Sequence, residues 1–426
     1  MIQKVPISVT SAAELGQQNN HCQRRIAFLL PSLAAGSIAS VILNLATEFR
    51  QSDYLVDILP CCIDTDFLHN VPSSIRLINL QPENSLLARF RVARVDRQAL
   101  NCLAKPVLFA LKPAFTQRFL PDLVHYLNNV KPDILLSANT PANLLAIWGC
   151  HLADSSTRVI VSEHTHLALQ SERIPKWRWR HIKPVVAHFY PCADAIVTVS
   201  SGVADDLIRI TNLSNDQITT IYNPVVTRHL PLKTNQSEPH PWLVDNGPPV
   251  IVAAGRFKPV KNFPLLIEAF AKLRTHRRAR LLLFGEGKQR AHLERLAKQM
   301  KVESDIDMPG FIDNPYAAFS QAAVFVLSSD YEGLGNVLIE ALACGCPAVA
   351  TDCPSGPREI LANGIYGSLV PVGDASALAA AIIANLDRPI EAQKLRKRAE
   401  KFSIQSSFEG YERLIQSLLS QVPKLI

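Results

Sequence analysis

The sequence predicts an α/β protein built from two halves, each a parallel sheet flanked by helices, and three observations predict it. Short apolar runs alternate with longer segments of helical periodicity, the signature of strand–helix–strand units. The alternation stops after Asn223-Pro224 and restarts at Val250. Between them lies a stretch rich in Pro, Asn, Ser and charge, with no usable period, which reads as a linker. The size agrees: 426 residues correspond to roughly two to three domains. With 48% apolar residues the chain can fill sizeable cores, which excludes global disorder.

Taken in order, residues 1–24 begin with a polar run, MIQKVPISVTSAAELGQQNNHC, that lacks the continuous apolar core of a secretory signal, so a loose tail is expected. Residues 25–226 form the first domain, with strands expected at Ile26–Leu30, Tyr54–Leu59, Asp133–Ser137, Val159–Ser162, Ala195–Val199 and Ile218–Tyr222. Val41, Ile42, Leu45, Ala46 and Phe49 fall on one face of a helix. Residues 227–248 are the linker. Residues 249–390 form the second domain, with strands expected at Val250–Ala254, Arg280–Phe284, Val324–Ser328 and Ala348–Thr351. The last part, 391–426, reads as helical and carries Phe408, Tyr411, Ile415 and Leu418 at helical spacing, with no strand after it. Ligands of open α/β sheets bind beyond the carboxyl ends of the strands, so a cleft between two such domains is the expected site.

Charge and cysteine content narrow the classes. Nine cysteines, with no CxxC pair and no zinc-type spacing, fit reduced, mostly buried thiols in a cytoplasmic protein. No run of eighteen or more uncharged apolar residues suggests a membrane span. The net charge of +7 is uneven. Arg89, Arg91, Arg94, Arg97, Lys105, Lys112 and Arg118 face Asp96 alone, interleaved with Leu87, Phe90, Val92, Val95, Leu100 and Leu103. A second patch, Lys176-Trp177-Arg178-Trp179-Arg180-His181-Ile182-Lys183, mixes tryptophan with cations. Both fit an anionic membrane surface or anionic ligand, or else an ordinary solvated face. No recognition motif for nucleic acid accompanies them.

Two segments carry chemistry. In Tyr331-Glu332-Gly333-Leu334-Gly335-Asn336-Val337-Leu338-Ile339-Glu340-Ala341, glycines follow the first glutamate and a helix is expected to begin near Asn336. Glycines allow close backbone approach to a ligand, and a helix start offers N–H groups to an anion. Glu332 in the loop and Glu340 one turn into the helix could both accept from vicinal sugar hydroxyls. In Ala254-Gly255-Arg256-Phe257-Lys258-Pro259-Val260-Lys261, the cations Arg256 and Lys261 sit in one strand-end loop, with Lys258 as a spare. Two such cations can neutralise a departing diphosphate where no metal does so.

Together and in this order, these segments resemble the retaining glycosyltransferase family 4, the group 1 enzymes of GT-B fold, from Arg25 onward. The resemblance includes Ile26–Leu30 with Pro31-Ser32-Leu33 and Gly36 as a first strand–helix loop. Ser162-Glu163-His164-Thr165-His166 resembles a region holding a donor-proximal histidine, and Ile221-Tyr222-Asn223-Pro224-Val225 resembles a hinge. Gly285-Glu286-Gly287 resembles the loop under the nucleotide, Gly310-Phe311 the turn that meets the base, and Pro354-Ser355-Gly356-Pro357-Arg358-Glu359 a following segment.

The resemblance implies two Rossmann-like domains facing across a cleft, with the C-terminal helix returning to the first. It implies sugar transfer with retention from a nucleotide sugar, UDP-sugar favoured, to a saccharide or lipid-linked acceptor, without cofactor or metal. Catalytic roles fall to Arg256, Lys261, Glu332 and His164. Substrate-binding roles fall to Gly36, Gly285, Gly310, Phe311, Gly333, Leu334, Gly335, Asn336 and Glu340, with Glu340 on the ribose and Glu332 on the donor sugar. Expected partners are the nucleotide sugar, the acceptor and an anionic membrane surface, at the inner face of the membrane.

The first loop departs from the family pattern. Ala34-Ala35-Gly36-Ser37-Ile38-Ala39 has one glycine and lacks the usual charged pair. Another GT-B enzyme, such as a sugar phosphorylase or epimerase, or a non-catalytic sugar-nucleotide-binding protein, are the alternatives. Asp64-Thr65-Asp66 spells the metal-binding DxD of other transferases but stands far from the donor motifs, and reads as a turn. Gly285-x-Gly287 lacks the third glycine of a dinucleotide fingerprint, because Arg290 occupies that position. His166 and His181 read as structural.

Overall fold

The computed structural model describes residues 9–11, 23–34, 36–110, 115–174, 177–228, 230, 240–312 and 314–421. Among the predicted features, Ala35, Lys112 and Lys176 lie outside the described residues, as does most of the tail and part of the linker. The chain divides into two compact units: residues 1–224 with 404–426, and residues 225–403.

Among the described residues the first unit holds eight strands: β1 (Val9–Ser11), β2 (Arg25–Leu30), β3 (Leu55–Pro60), β4 (Arg76–Asn79), β5 (Ile134–Ala138), β6 (Arg158–Glu163), β7 (Ala195–Thr198) and β8 (Ile218–Thr220). Their order is β1-β4-β3-β2-β5-β6-β7-β8, every pair parallel. The near-continuous apolar runs follow from burial on both faces. Ala27 and Leu29 point into one core, with helix Thr140–Leu152, while Ile26, Phe28 and Leu30 point into the other. That second core also takes Val56, Ile58 and Leu77, Ile42, Leu45, Ala46 and Phe49 of helix Ser37–Gln51, and Phe408, Tyr411, Ile415 and Leu418 of helix Ile404–Ser420. The returning C-terminal helix is therefore held by burial of its whole apolar stripe. Asp57 of β3, also fully buried, is met by Arg25 at 3.1 Å, Arg76 at 2.6 Å and, from the first core, the Tyr126 hydroxyl at 2.6 Å. Such partners offset the cost of burying a carboxylate.

The second unit holds β9 (Val250–Ala254), β10 (Arg280–Phe284), β11 (Ile306–Gly310), β12 (Val324–Leu327), β13 (Ala348–Thr351) and β14 (Ser368–Val370), ordered β11-β10-β9-β12-β13-β14 and all parallel. After β9 the chain builds outward through β10 and β11, then crosses to β12 on the other side. The reversal falls between β9 and β12, and open α/β sheets bind ligands at the carboxyl ends of the strands at such a switch point.

The structure corrects four expectations. Val9–Ser11, placed in the loose tail, pairs with β4 as an edge strand; three residues carry too little periodicity to be read. Arg76–Asn79, Ile306–Gly310 and Ser368–Val370 are strands that the pattern missed, all short and interrupted by polar residues or Pro309. Within the linker, Pro241–Val244 forms one helical turn. Residues 391–403 do not return to the first unit. Helix Ala392–Ala399 buries Leu395 and Ala399 in the second unit, and Arg396 and Arg398 donate to the carbonyls of Cys344 and Ile360 there. Of the described cysteines, Cys61, Cys150, Cys344, Cys346 and Cys353 are buried, and burial pushes the Cys150 thiol up to about 12. Among the described residues no helix is long and apolar enough to cross a membrane.

Candidate functional site

In the second unit the predicted site residues gather at the carboxyl ends of the strands: Gly310 is the last residue of β11, Asn336 and Glu340 belong to the helix Asn336–Ala343 that follows β12, and the others lie in the loops and turns between. Three of those loops are stitched side by side: Gly255 N–H donates to Phe284 O at 2.9 Å, and Gly285 N–H donates to Gly310 O at 2.8 Å. The contact is too close for a side chain. A Cβ on Gly285, whose φ is +146°, would fall 1.9 Å from Gly255 O, and one on Gly287 would fall 2.6 Å from Phe257 O. Beneath them the Phe257 ring is fully buried, fixing the Arg256–Lys261 loop from below. Beyond Gly310 the Phe311 ring stands 65% exposed, an apolar face available for stacking.

The loops that follow β9 and β12 bring the two chemical segments together. Lys261 Nζ lies 2.6 Å from Glu332 Oε1, with 11% of the Glu332 side chain exposed. Ser329 Oγ donates to the same carboxylate oxygen at 2.6 Å. The loops are cross-braced: Ser328 Oγ donates to Lys261 O, Asn262 Nδ2 to Asp330 Oδ1, and Asp330 N–H to Val260 O. Glu332 N–H donates to Pro354 O, and Gly356 is obligatory because a Cβ there would lie 1.8 Å from Leu334 O.

Arg256 and Lys258 extend exposed from the same loop. Partial desolvation, and then the positive charges of Arg256 and Lys261, hold the Lys258 ammonium below its usual range. The three cations therefore share one field, and Glu332 offsets a single charge of it.

Gly333 and Leu334 are buried in the turn, and Gly335 at φ +98° caps helix Asn336–Ala343. Glu340 is half-buried one turn into that helix; burial and then its negative charge raise the Tyr316 phenol.

His164 and Gly36 belong to the first unit. Gly36 starts helix Ser37–Gln51 after β2, and His164 follows β6. Although the imidazole keeps some exposure, burial pushes it down to about 4, so it is neutral near pH 7. Glu163 beside it is fully buried and pushed up to about 7, while accepting from Tyr190 Oη at 2.7 Å, Thr140 Oγ1 at 2.9 Å and His164 N–H at 3.1 Å. Ser329, Asp330, Glu163 and Tyr190 belong to these networks and were not among the expected site residues. Ser328-Ser329-Asp330 at a strand end was a legible polar signal; the partners of Glu163 come from distant elements and left none.

The discounted signals have structural explanations. Asp64 Oδ1 accepts from Asp66 N–H at 3.2 Å and caps the turn Thr65–Asn70. His166 lies 3.2 Å from the buried Asp206. Among the described residues, no group of three or more His, Cys, Asp or Glu side chains is placed to hold a metal ion.

Two family patterns match this chain. Glycosyltransferase Family 4 matches residues 38–229, and Glycosyl transferases group 1 matches residues 235–402. The chain belongs to the group 1, family 4 type glycosyltransferases. The members most informative for it are partial likenesses. It is 33% identical over 215 residues to the N-acetylgalactosamine-N,N'-diacetylbacillosaminyl-diphospho-undecaprenol 4-alpha-N-acetylgalactosaminyltransferase of Campylobacter jejuni, covering 50% of this chain and 56% of that one. It is 27% identical over 187 residues to the N-acetyl-alpha-D-glucosaminyl L-malate synthase of Bacillus anthracis, covering 44% and 49%. The matched stretches thus span about half the length of these curated relatives.

Among solved structures, the sucrose-phosphate synthase of Thermosynechococcus elongatus superposes with a TM-score of 0.72 at 20% identity, covering 93% of this chain and 100% of that one. Anabaena HepE in complex with UDP gives 0.68 at 16%, covering 92% and 100%. These likenesses show the fold of this family member, which is GT-B.

Proposed function

We propose that the protein transfers a sugar, with retention and without a metal, from a nucleotide diphosphate sugar, UDP-sugar favoured, to a saccharide or lipid-linked acceptor. The observation that carries the reading is the Lys261–Glu332 pair at 2.6 Å, flanked by Arg256 and Lys258 at the switch point of the second sheet. A carboxylate held beside cations suits a ligand that is polyhydroxylated at one end and doubly anionic at the other.

In this reading the diphosphate lies against Arg256 and Lys261, Glu332 accepts from hydroxyls of the donor sugar, and Glu340 takes the ribose. The loops of Gly285 and Gly310 bring backbone close to the nucleotide, and Phe311 faces its base. The bond from the anomeric carbon to the phosphate oxygen breaks while the acceptor oxygen bonds to the same face. The acceptor proton passes to the leaving phosphate, whose growing charge the two cations stabilise; such preorganised groups are typically worth several kcal/mol. His164, neutral at working pH, serves as a hydrogen-bonding group toward the sugar rather than as a cation. In the first unit, Gly36 and the start of helix Ser37–Gln51 are assigned to the acceptor.

A lipid-linked acceptor at the inner face of the membrane is supported by the Campylobacter relative's diphospho-undecaprenol substrate and by the surface of the first unit. There Leu86 and Leu87 are exposed, Phe90 is 68%, Phe109 81% and Trp177 57% exposed, near Arg94, Arg97 and Lys105. Not every predicted residue of that patch is available. Arg89 donates to Leu108 O and Ala110 O, Arg91 pairs with Glu83, Val92, Val95 and Leu103 are buried, and Trp179 packs on the core.

The test is release of nucleoside diphosphate from a panel of nucleotide sugars with saccharide and prenyl-diphosphate-linked acceptors. Acceptor-dependent release supports the proposal. A nucleotide sugar that raises the melting temperature by mass action without any turnover would leave the non-catalytic binding alternative standing.

A further inference from the structure

The side chain of His164 is held by a chain of hydroxyls that begins in the last helix. Its Nε2 lies 3.1 Å from Ser162 Oγ, and Ser162 Oγ lies 3.2 Å from Tyr411 Oη. Ser162 is fully buried and Tyr411 nearly so. Burial pushes the Tyr411 phenol up to about 12, so it keeps its proton at every working pH.

The direction of the two bonds follows from donor counting. The buried phenol has one proton, and Ser162 is the acceptor beside it. If Ser162 donated to Tyr411 instead, the phenolic proton would be left in a buried place without an acceptor among the described residues, which is the costly arrangement. Tyr411 therefore donates to Ser162, and the Ser162 proton is directed to His164 Nε2. An Nε2 that accepts forces the remaining ring proton of the neutral imidazole onto Nδ1. The main chain is fixed separately, by the His164 N–H donated to Glu163 Oε1 at 3.1 Å.

We propose that Tyr411 and Ser162 are positioning residues that set the tautomer of His164, so that it offers Nδ1–H as its free donor. The returning C-terminal helix thereby does more than cover apolar surface: it delivers the hydroxyl that decides which nitrogen of His164 carries the proton. This rests on the reading that His164 hydrogen-bonds the donor sugar.

The experiment uses the full chain labelled with 15N-histidine, comparing wild type, Tyr411→Phe, Ser162→Ala and His164→Ala. The wild-type spectrum should show His164 with a protonated Nδ1 and an unprotonated Nε2. In Tyr411→Phe and Ser162→Ala the two nitrogens should move toward averaged values. The kcat for nucleoside diphosphate release should fall about fivefold to thirtyfold, with KM for the nucleotide sugar unchanged. Ser162→Ala carries the test if Tyr411→Phe does not fold. A pure Nδ1–H tautomer in both variants overturns the relay, and so does an altered tautomer with unchanged kcat. Full activity in His164→Ala instead overturns the assignment of His164, whatever the spectra show, which separates the two failures.

Discussion

Lys261 and Glu332 stand 71 positions apart in sequence and 2.6 Å apart in space, across the gap where the second sheet reverses direction. Arg256→Ala and Lys261→Ala are each expected to lower kcat by about a hundredfold or more. Arg256 is exposed, so its removal should leave the melting temperature unchanged; Lys261→Ala leaves the Glu332 carboxylate short of its cation and should lower it modestly. Steady-state assays with thermal melts check both. Near-normal rates in the two variants would remove the diphosphate from this loop.

Gly285→Ala should be destabilising out of proportion to its size. The added methyl would meet Gly255 O at 1.9 Å from a backbone at positive φ, so the loops after β9 and β10 must separate. A loss of about 2 kcal/mol or more is expected, together with loss of nucleotide-sugar binding, measured by denaturant titration and calorimetry. An unchanged midpoint would show that these loops are not held in contact.

Activity should persist in EDTA. Asp64→Asn and Asp66→Asn should each change turnover less than about twofold, because Asp64 caps a local turn and an asparagine keeps the accepting oxygen. Complete loss on chelation, restored by manganese or magnesium, would contradict the metal-free reading.

Binding to anionic vesicles should depend on Phe90, Phe109, Trp177, Arg94, Arg97 and Lys105. Each cation near such a surface contributes about 1 kcal/mol, and the attraction is screened by salt. Co-sedimentation with phosphatidylglycerol vesicles should appear at low salt and vanish at high salt, and a combined Arg94→Gln, Arg97→Gln and Lys105→Gln variant should weaken it. Arg89→Gln is unsuitable for this purpose, since it breaks two bonds that hold residues 108–110 and should lower stability instead. Indifference of the wild type to vesicles at low salt would favour a soluble acceptor.

Stability against pH should show two opposed slopes from neighbouring residues. Glu163 is raised to about 7, so between its ordinary value and 7 the native state holds a proton that the unfolded chain has lost, and stability falls as pH rises through that window. His164 is lowered to about 4, so between 4 and its ordinary value the unfolded chain holds the extra proton, and stability rises with pH. The two offset each other over most of the shared range. Glu163→Gln should remove the falling limb, worth on the order of 3 kcal/mol, and leave stability rising between about pH 4 and 6.5. Urea midpoints across pH 4–8 would decide it; parallel profiles for wild type and variant would count against a raised Glu163.

The sequence alone determined the parallel α/β plan, because strands buried on both faces must be apolar throughout and helices packed on one side must repeat near every 3.6 residues. Val250–Ala254, Arg280–Phe284 and Ala348–Thr351 were readable to the residue for that reason. The short edge strands Val9–Ser11 and Ser368–Val370 were not, since strands of three residues carry too little periodicity to be read.

The loop cations Arg256 and Lys261, the glutamates Glu332 and Glu340 and the glycines stood out as candidates, because backbone crowding and charge leave few alternative residues. Tertiary structure alone decided which of them meet. It selected Lys261 for Glu332, reduced the predicted basic patch by turning Arg89 inward, and kept Ala392–Ala399 on the second unit. It also placed Tyr411 against Ser162 from 249 positions away. Local periodicity records which face of an element is buried, but the partner it is buried against depends on strand order and on chain closure. Those are properties of the whole fold.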